Sequence, residues 1–215
     1  MTGRFYTTIR HATSAEIDVK NSRFLARIEP VTDETTARAI IDTARREHWD
    51  ARHHCSAFIL GNTQQTRRSN DDGEPSGTAG MPILETIAGH GLTDIVVVVT
   101  RWFGGTLLGT GGLVRAYTEA TLAAINTAEK VTYAEGKRLR VTTNMNSAGK
   151  LENALRAAGC VFHNVEYTTS SVIMHVDIRC GRENDIQELV AVTSSGHGST
   201  TITGATWSPI DINPH

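Results

Sequence analysis

The chain has 215 residues, long enough for one large domain or two small ones with cores of their own. Hydrophobic residues make up 39% and charged residues 20%, and the formal charge of −2 is spread evenly along the chain, which excludes a basic tail or half built for bulk attraction to nucleic acid. Cys55, Cys160 and Cys180 are odd in number and far apart, which argues against a disulfide framework or a CxxC metal site and for reduced thiols in the cytoplasm. No signal peptide or membrane span is expected, the longest apolar run being Ile95 to Val99.

Taken in chain order, Ala15 to Val31 reads as two short strands parted at Asn21 and Ser22, ending near Pro30. A helix follows, capped by Asp33, with Ala37, Ile40, Ile41, Ala44 and His48 on one face. "HCSAFIL" is a third strand stopped by Gly61 and Asn62, and Asn62 to Gly80 is an almost wholly polar loop, long enough to be functional or disordered. Met81 to His90 reads as a short helix with Pro82 in its first turn. "DIVVVVT" is β-branched without alternation, the pattern of a central strand covered on both faces. After a glycine-rich stretch, Leu113, Val114, Tyr117, Ala120 and Ala124 give a helical stripe that packs on that sheet.

The second half alternates regularly. "RLRVTT" is a strand; Leu151, Leu155 and Ala158 mark a helix that stops at Gly159; "CVFHNVEY" and "SVIMHVDIR" form a hairpin. In the hairpin Val172, Met174, Val176 and Ile178 face inward, while His175, Asp177 and Arg179 face out. A helix with Ile186, Leu189 and Val190 and a strand near Thr200 to Trp207 complete a βαββαβ order, that of a ferredoxin-like domain. The class is therefore α+β, with two α/β sandwich domains over residues 1–130 and 136–208 and a boundary near Ala128 to Gly136.

"RWFGGTLLGTGGLVR", Arg101 to Arg115, poses the functional question. Gly104 and Gly109 have the spacing of a Walker A loop, but Thr110 and Gly111 replace its lysine and hydroxyl residue; Gly109 and Gly111 open a GxGxxG that Val114 breaks. Strand, glycine turn and helix start leave two readings open. Amides around Thr110 to Leu113, with Arg101 and Arg115 adding charge, can hold an anion. Alternatively the glycines only let the backbone turn and the helix sit close. In "SNDDGEPSGTAGMP", Asp71, Asp72 and Glu74 lack the ligand register of a calcium loop, leaving turn chemistry or a functional surface. His53 and Cys55 share one strand face and His54 the other, so a metal or thiol site there needs partners from elsewhere, and packing is the simpler reading.

"ARHHCSAFILG", "SNDDGEPSGTAGMPIL" and "DIVVVVTRWFGGTLLGTGGLVRAY", in this order, resemble the YigZ and IMPACT family. The resemblance implies a first domain like domain four of elongation factor G, of the ribosomal-protein and GHMP-kinase superfold. It implies a ferredoxin-like second domain like domain five of that factor. It also implies a bacterial-type two-domain member lacking the RWD domain of eukaryotic IMPACT proteins, which are implicated in translational control. GHMP kinases hold nucleotide phosphate at a glycine-rich helix start; this chain departs from their motif, so kinase activity does not carry over. The family blocks fall here on His54, Asp72, Gly73, Glu74, Pro75, Gly77, Thr78 and Ala79, then on Arg101, Gly104, Gly105, Gly109, Gly111, Gly112, Arg115 and Tyr117.

Two functions follow as expectations. The first is a non-catalytic cytoplasmic protein that binds RNA, the ribosome or a translation-associated partner, without metal or cofactor. Its anion or RNA contacts are Arg101, Gly104, Gly105, Gly109, Thr110, Gly111, Gly112 and Arg115, with Arg67 and Arg68 extending the patch. His54, Asp72, Gly73, Glu74, Pro75, Ser76, Gly77 and Thr78 form a second functional loop. The alternative is an enzyme for a phosphorylated or nucleotide substrate, in which His54, Asp72 and Glu74 act beside the anion site through a divalent cation. Whether the Asp71 to Ala79 loop and the Gly104 to Gly112 turn form one site is left open, as is the oligomeric state.

Overall fold

In the computed structural model, which describes residues 4–210, the chain divides into two compact units, Tyr6–Val131 and the residues from Thr132 onward together with Arg4 and Phe5. The elements are β1 (Phe5–Ile9), β2 (Thr13–Val19), β3 (Ser22–Pro30), α1 (Glu34–Glu47), β4 (His53–Leu60), β5 (Thr66–Asn70), α2 (Gly80–Gly89), β6 (Ile95–Trp102) and α3 (Thr110–Thr127). They continue with β7 (Lys130–Thr143), α4 (Met145–Ala157), β8 (Val161–Tyr167), β9 (Val172–Arg179), α5 (Glu183–Thr193) and β10 (Ser199–Ile210). The fold is thus α+β, with two sheets and five helices among the described residues.

In the first unit the sheet order is β2-β3-β6-β4-β5, and β6 pairs antiparallel with both β3 and β4. The unbroken β-branched run of β6 reflects burial on both sides. Val97 and Val99 join Phe24, Ala26 and Ile28 of β3 and Cys55, Ala57 and Ile59 of β4 beneath α2 and α3; Val96 and Val98 meet Ala37, Ile41 and Ala44 of α1. Asp33 caps α1 by accepting the Thr36 N–H at 2.8 Å. Val114 of the expected α3 stripe is more than a third exposed, whereas Leu113, Tyr117, Ala120 and Ala124 are buried.

The polar stretch after Leu60 is not all loop. β5 forms within it, pairing from Thr66 opposite Leu60 to Asn70 opposite Ser56. Its sequence, TRRSN, hides a strand because an exposed edge strand has no apolar face to reveal its period. Residues 128–136 likewise hold no separate linker: β7 starts at Lys130, and the units part between Val131 and Thr132.

In the second unit β10, β7, β9 and β8 lie side by side and antiparallel, the strand order of a ferredoxin-like sheet, with α4 and α5 on one face over Leu139, Val141, Met174 and Val176. Asp177 points to the other face, as the alternation requires, yet is only 3% exposed. Arg138 donates to it from Nε at 2.8 Å and Nη2 at 3.1 Å, the Thr206 hydroxyl at 2.8 Å, and His163 Nε2 lies 2.6 Å away. Burial alone would raise its carboxyl, but these hydrogen bonds outweigh it and hold Asp177 below the usual carboxylate range. Its contribution to stability is therefore complete above the unfolded aspartate value, about 3.9, and disappears as pH falls through the lower folded value. Asp177→Asn is expected to flatten the acid-side decline of melting temperature below about pH 5. Equal slopes for variant and native chain would show that this carboxylate contributes nothing to acid stability.

Candidate functional site

The loop between β5 and α2 is built by its own acids. Asp71 Oδ1 accepts the Ala79 and Gly80 N–H groups at 3.0 and 2.8 Å, and Oδ2 the Gly77 N–H at 2.8 Å. The N-cap residue of α2, Ala79, has no capping side chain, so Asp71 supplies that function from eight residues earlier. Burial pushes the Asp71 carboxyl up, and the N–H donors of Gly77, Gly80 and Ala79 bring it below its usual value. Asp72, itself at positive φ, joins the loop to neighbouring elements: Oδ2 accepts the His54 N–H at 2.7 Å and Oδ1 accepts Arg45 at 2.8 Å. Thr78 donates its hydroxyl to the Pro75 carbonyl, closing the following turn. Turn chemistry thus accounts for Asp71, Asp72 and Thr78.

Glu74 has a different position. It is 8% exposed, and its Oε1 accepts Arg101 Nη1 at 2.6 Å and the Tyr117 hydroxyl at 2.7 Å. Arg101, 6% exposed, lies opposite Phe24 on β3 and His53 on β4, so all three project from one sheet face toward α3. The Phe24 and Tyr117 rings meet edge to face at 5.3 Å, and the guanidinium lies 5.4 Å from the Phe24 ring centre. The Cys55 thiol sits 3.2 Å from the Tyr117 hydroxyl and 3.0 Å from the Asp71 carbonyl oxygen. Burial pushes both the Cys55 thiol and the Tyr117 phenol well above their ordinary values, so neither supplies an anionic nucleophile near neutrality.

At the end of β6 the chain turns at Gly104. A Cβ there would lie 1.9 Å from the Asn21 carbonyl oxygen, so the β2–β3 turn and the end of β6 approach as closely as backbone permits. Gly105 and Gly109 have φ values of 87° and 71°, and Gly109 caps α3 without any side-chain hydrogen bond. The N–H groups of Thr110, Gly111 and Gly112 precede the first hydrogen bond of α3, from Leu113 N–H to the Gly109 carbonyl.

The two segments meet. A cavity of about 430 Å³ is walled on one side by His53, Glu74 and Pro75 and on the other by Phe103, Leu107, Leu108, Gly109 and Thr110. Arg52, Arg101 and Leu113 complete it. Several expected site residues do not line this cavity. His54 is buried on the opposite sheet face beside the His48 carbonyl, and desolvation lowers its pKa. Arg115 is bonded to the Gly111 carbonyl, and Arg67 and Arg68 lie on β5, bonded to Gln64 and to the Arg67 carbonyl. The proposed arginine patch is therefore not one surface: Arg101 is buried and neutralised by Glu74. The carboxylates that the catalytic alternative joins through a cation have separate partners, Arg45 and His54 for Asp72, Arg101 and Tyr117 for Glu74. Among the described residues no three His, Cys, Asp or Glu side chains converge as a metal site.

The sequence reading left Arg52, Phe103, Leu107 and Leu108 out, and weighed His53 only for a metal or thiol site. A signal for them was present: His53 shares the Cys55 face, and Phe103 and Leu107 are large apolar residues inside a glycine-rich turn, while Leu108 beside them packs partly against the core. Leu107 is 84% and Phe103 41% exposed.

Fold and site together define a two-unit α+β protein whose first unit carries a small, largely apolar cavity at a glycine-built strand-to-helix corner. Among the described residues no helix is long and apolar enough to cross a membrane. The family described as the Impact N-terminal domain matches residues 20–125, the segment that supplies every wall of the cavity. The chain is 37% identical over 166 residues to the IMPACT family member YvyE of Bacillus subtilis, covering 76% of this chain and 75% of that protein. It is 45% identical over 102 residues to the IMPACT family member YigZ of Escherichia coli, covering 46% of this chain and 50% of that one. A crystal structure described only as that of a hypothetical protein superposes with a TM-score of 0.62 at 28% identity, over 98% of this chain and 99% of its own. The chain belongs to the IMPACT family.

Proposed function

We propose that this chain is a non-catalytic, cytoplasmic binding protein that takes RNA, free or carried by the ribosome or another translation-associated partner, at the cavity of its first unit. The observation that carries this reading is the joining, in one cavity, of an uncapped helix start and an exposed apolar wall, while Glu74, Tyr117 and Cys55 are engaged with one another. A helix start offers N–H donors and positive potential to phosphate, and exposed aromatic surface suits unpaired bases. The implication of eukaryotic IMPACT proteins in translational control supports the same direction.

With a net charge of −2 and few free cations at the site, affinity must come from local contacts and not from bulk attraction. Titration with single-stranded RNA, transfer RNA and ribosomes at low salt is expected to show binding whose logarithm falls with log salt at a shallow slope, roughly −1 to −2, for two or three phosphate contacts. Absence of binding to all three would overturn the proposal.

A further inference from the structure

We infer that the cavity seats one unpaired nucleotide, with its base on the apolar wall and its phosphate at the start of α3; this rests on the RNA-binding reading above and names what the site receives. Three features of the cavity restrict its ligand. Phe103 and the leucines beside it offer flat apolar surface, with the Arg52 guanidinium 5.9 Å from the Phe103 ring centre. Thr110, on the cavity wall, offers its N–H to an anion, with those of Gly111 and Gly112 following it in the first turn of α3.

The third feature is bonding capacity left over on two polar side chains that line the cavity. Glu74 Oε1 is taken by Arg101 and Tyr117, while its Oε2 has no partner among the described residues. Arg101 Nε is fully buried without a partner. Both residues are more than nine-tenths buried and both line the cavity. Glu74 Oε2 is not one of the fully buried atoms left without a partner, so solvent reaches it, and a carboxylate oxygen open beside a cavity can accept from a ligand that donates.

A ligand that is flat and apolar on its faces, carries N–H donors on an edge and bears an anion is a nucleotide. An alkyl phosphate lacks the donor edge, and a phosphorylated serine lacks the flat face. The volume of about 430 Å³ lies within the usual range of small-molecule sites, roughly 300–1,000 Å³. Guanine, with adjacent ring and exocyclic N–H donors on its Watson–Crick edge, suits Glu74 better than uracil, whose single N–H lies between two carbonyls.

The test is calorimetric titration of the full chain at low salt with GMP, UMP and ribose 5-phosphate, beside single-stranded RNA. GMP is expected to bind about tenfold more tightly than ribose 5-phosphate, the effect of one stacked base, and more tightly than UMP. Phe103→Ala is expected to erase the advantage over ribose 5-phosphate, and Glu74→Gln the advantage over UMP. Phe103 is partly exposed, so its variant stays interpretable if the Glu74 variant melts early. Ribose 5-phosphate binding as well as GMP would overturn the base seat. If RNA binds while GMP does not, the seat is wrong and RNA recognition stands; if GMP binds and RNA does not, the seat stands and RNA recognition falls. Silence from both removes both.

Discussion

Replacing Glu74 by alanine is expected to destabilise the chain by about 3–5 kcal/mol, the range found when one partner of a buried ion pair is removed. Arg101 cannot move to water easily: it is buried between the Phe24 ring and the cavity, and its other contact, with Ser22 Oγ, is a long 3.5 Å. Tyr117 would also lose the acceptor of its hydroxyl, whose other hydrogen-bond partner among the described residues, the Cys55 thiol, donates to it. Glu74→Gln keeps an oxygen for both donors and loses the charge and the unpaired second oxygen, so its cost should be clearly smaller. Removing both charges in a Glu74→Gln, Arg101→Met double variant should recover part of the alanine loss, because a neutral packed pair needs no desolvated charge. Urea unfolding of the three variants gives the comparison. A Glu74→Ala cost below about 1 kcal/mol would mean that Arg101 is effectively solvated through the cavity.

This pair also shows where reading the chain alone stops. Glu74 and Arg101 were each legible as members of a glycine- and acid-rich segment, but not as partners, since they stand 27 positions apart and the chain between them folds into α2 and most of β6. Arg101 consequently read as a free cation beside an anion site. The elements themselves were more visible. The Asp33 cap and the Ala37, Ile41, Ala44 spacing define α1 because both are local, and the run Ile95 to Val99 defines β6 because two layers cover it. β5 and β1 were not legible: their residues are polar or mixed, and pairing with a neighbour strand, not an apolar period, makes them strands. His54 was preferred to His53 for its place in a motif, although strand alternation already put His53 with Cys55. Motif membership does not tell a residue that builds a loop from one that faces a ligand.

The glycines of the strand-to-helix corner separate into those the fold requires and those it tolerates, and Gly104→Ala is expected to cost about 3 kcal/mol or more, at or beyond the upper end of ordinary overpacking. The added methyl would lie 1.9 Å from the Asn21 oxygen, 2.0 Å from its carbonyl carbon and 2.5 Å from the Ser22 nitrogen. None of these is the end of a flexible side chain. Lys20 and Asn21 both hold positive φ in a two-residue turn, so that turn has little freedom to retreat. If β6 moves instead, the Gly104 N–H loses Ser22 Oγ and Arg101 is displaced from Glu74. Gly111 is the internal control. It lies in the first turn of α3 with φ outside the left-handed region and nothing within 4 Å of an added Cβ. Gly111→Ala should be neutral or stabilising by about 0.5–1 kcal/mol, through the lower conformational entropy of the unfolded chain. Thermal melts of the two variants decide the matter. Equal, small shifts would show that the corner opens without penalty and that the close approach at Gly104 is not what fixes it. A large loss at Gly104 beside none at Gly111 makes the first glycine a joint of the fold and leaves the second free for a ligand at the α3 N–H groups.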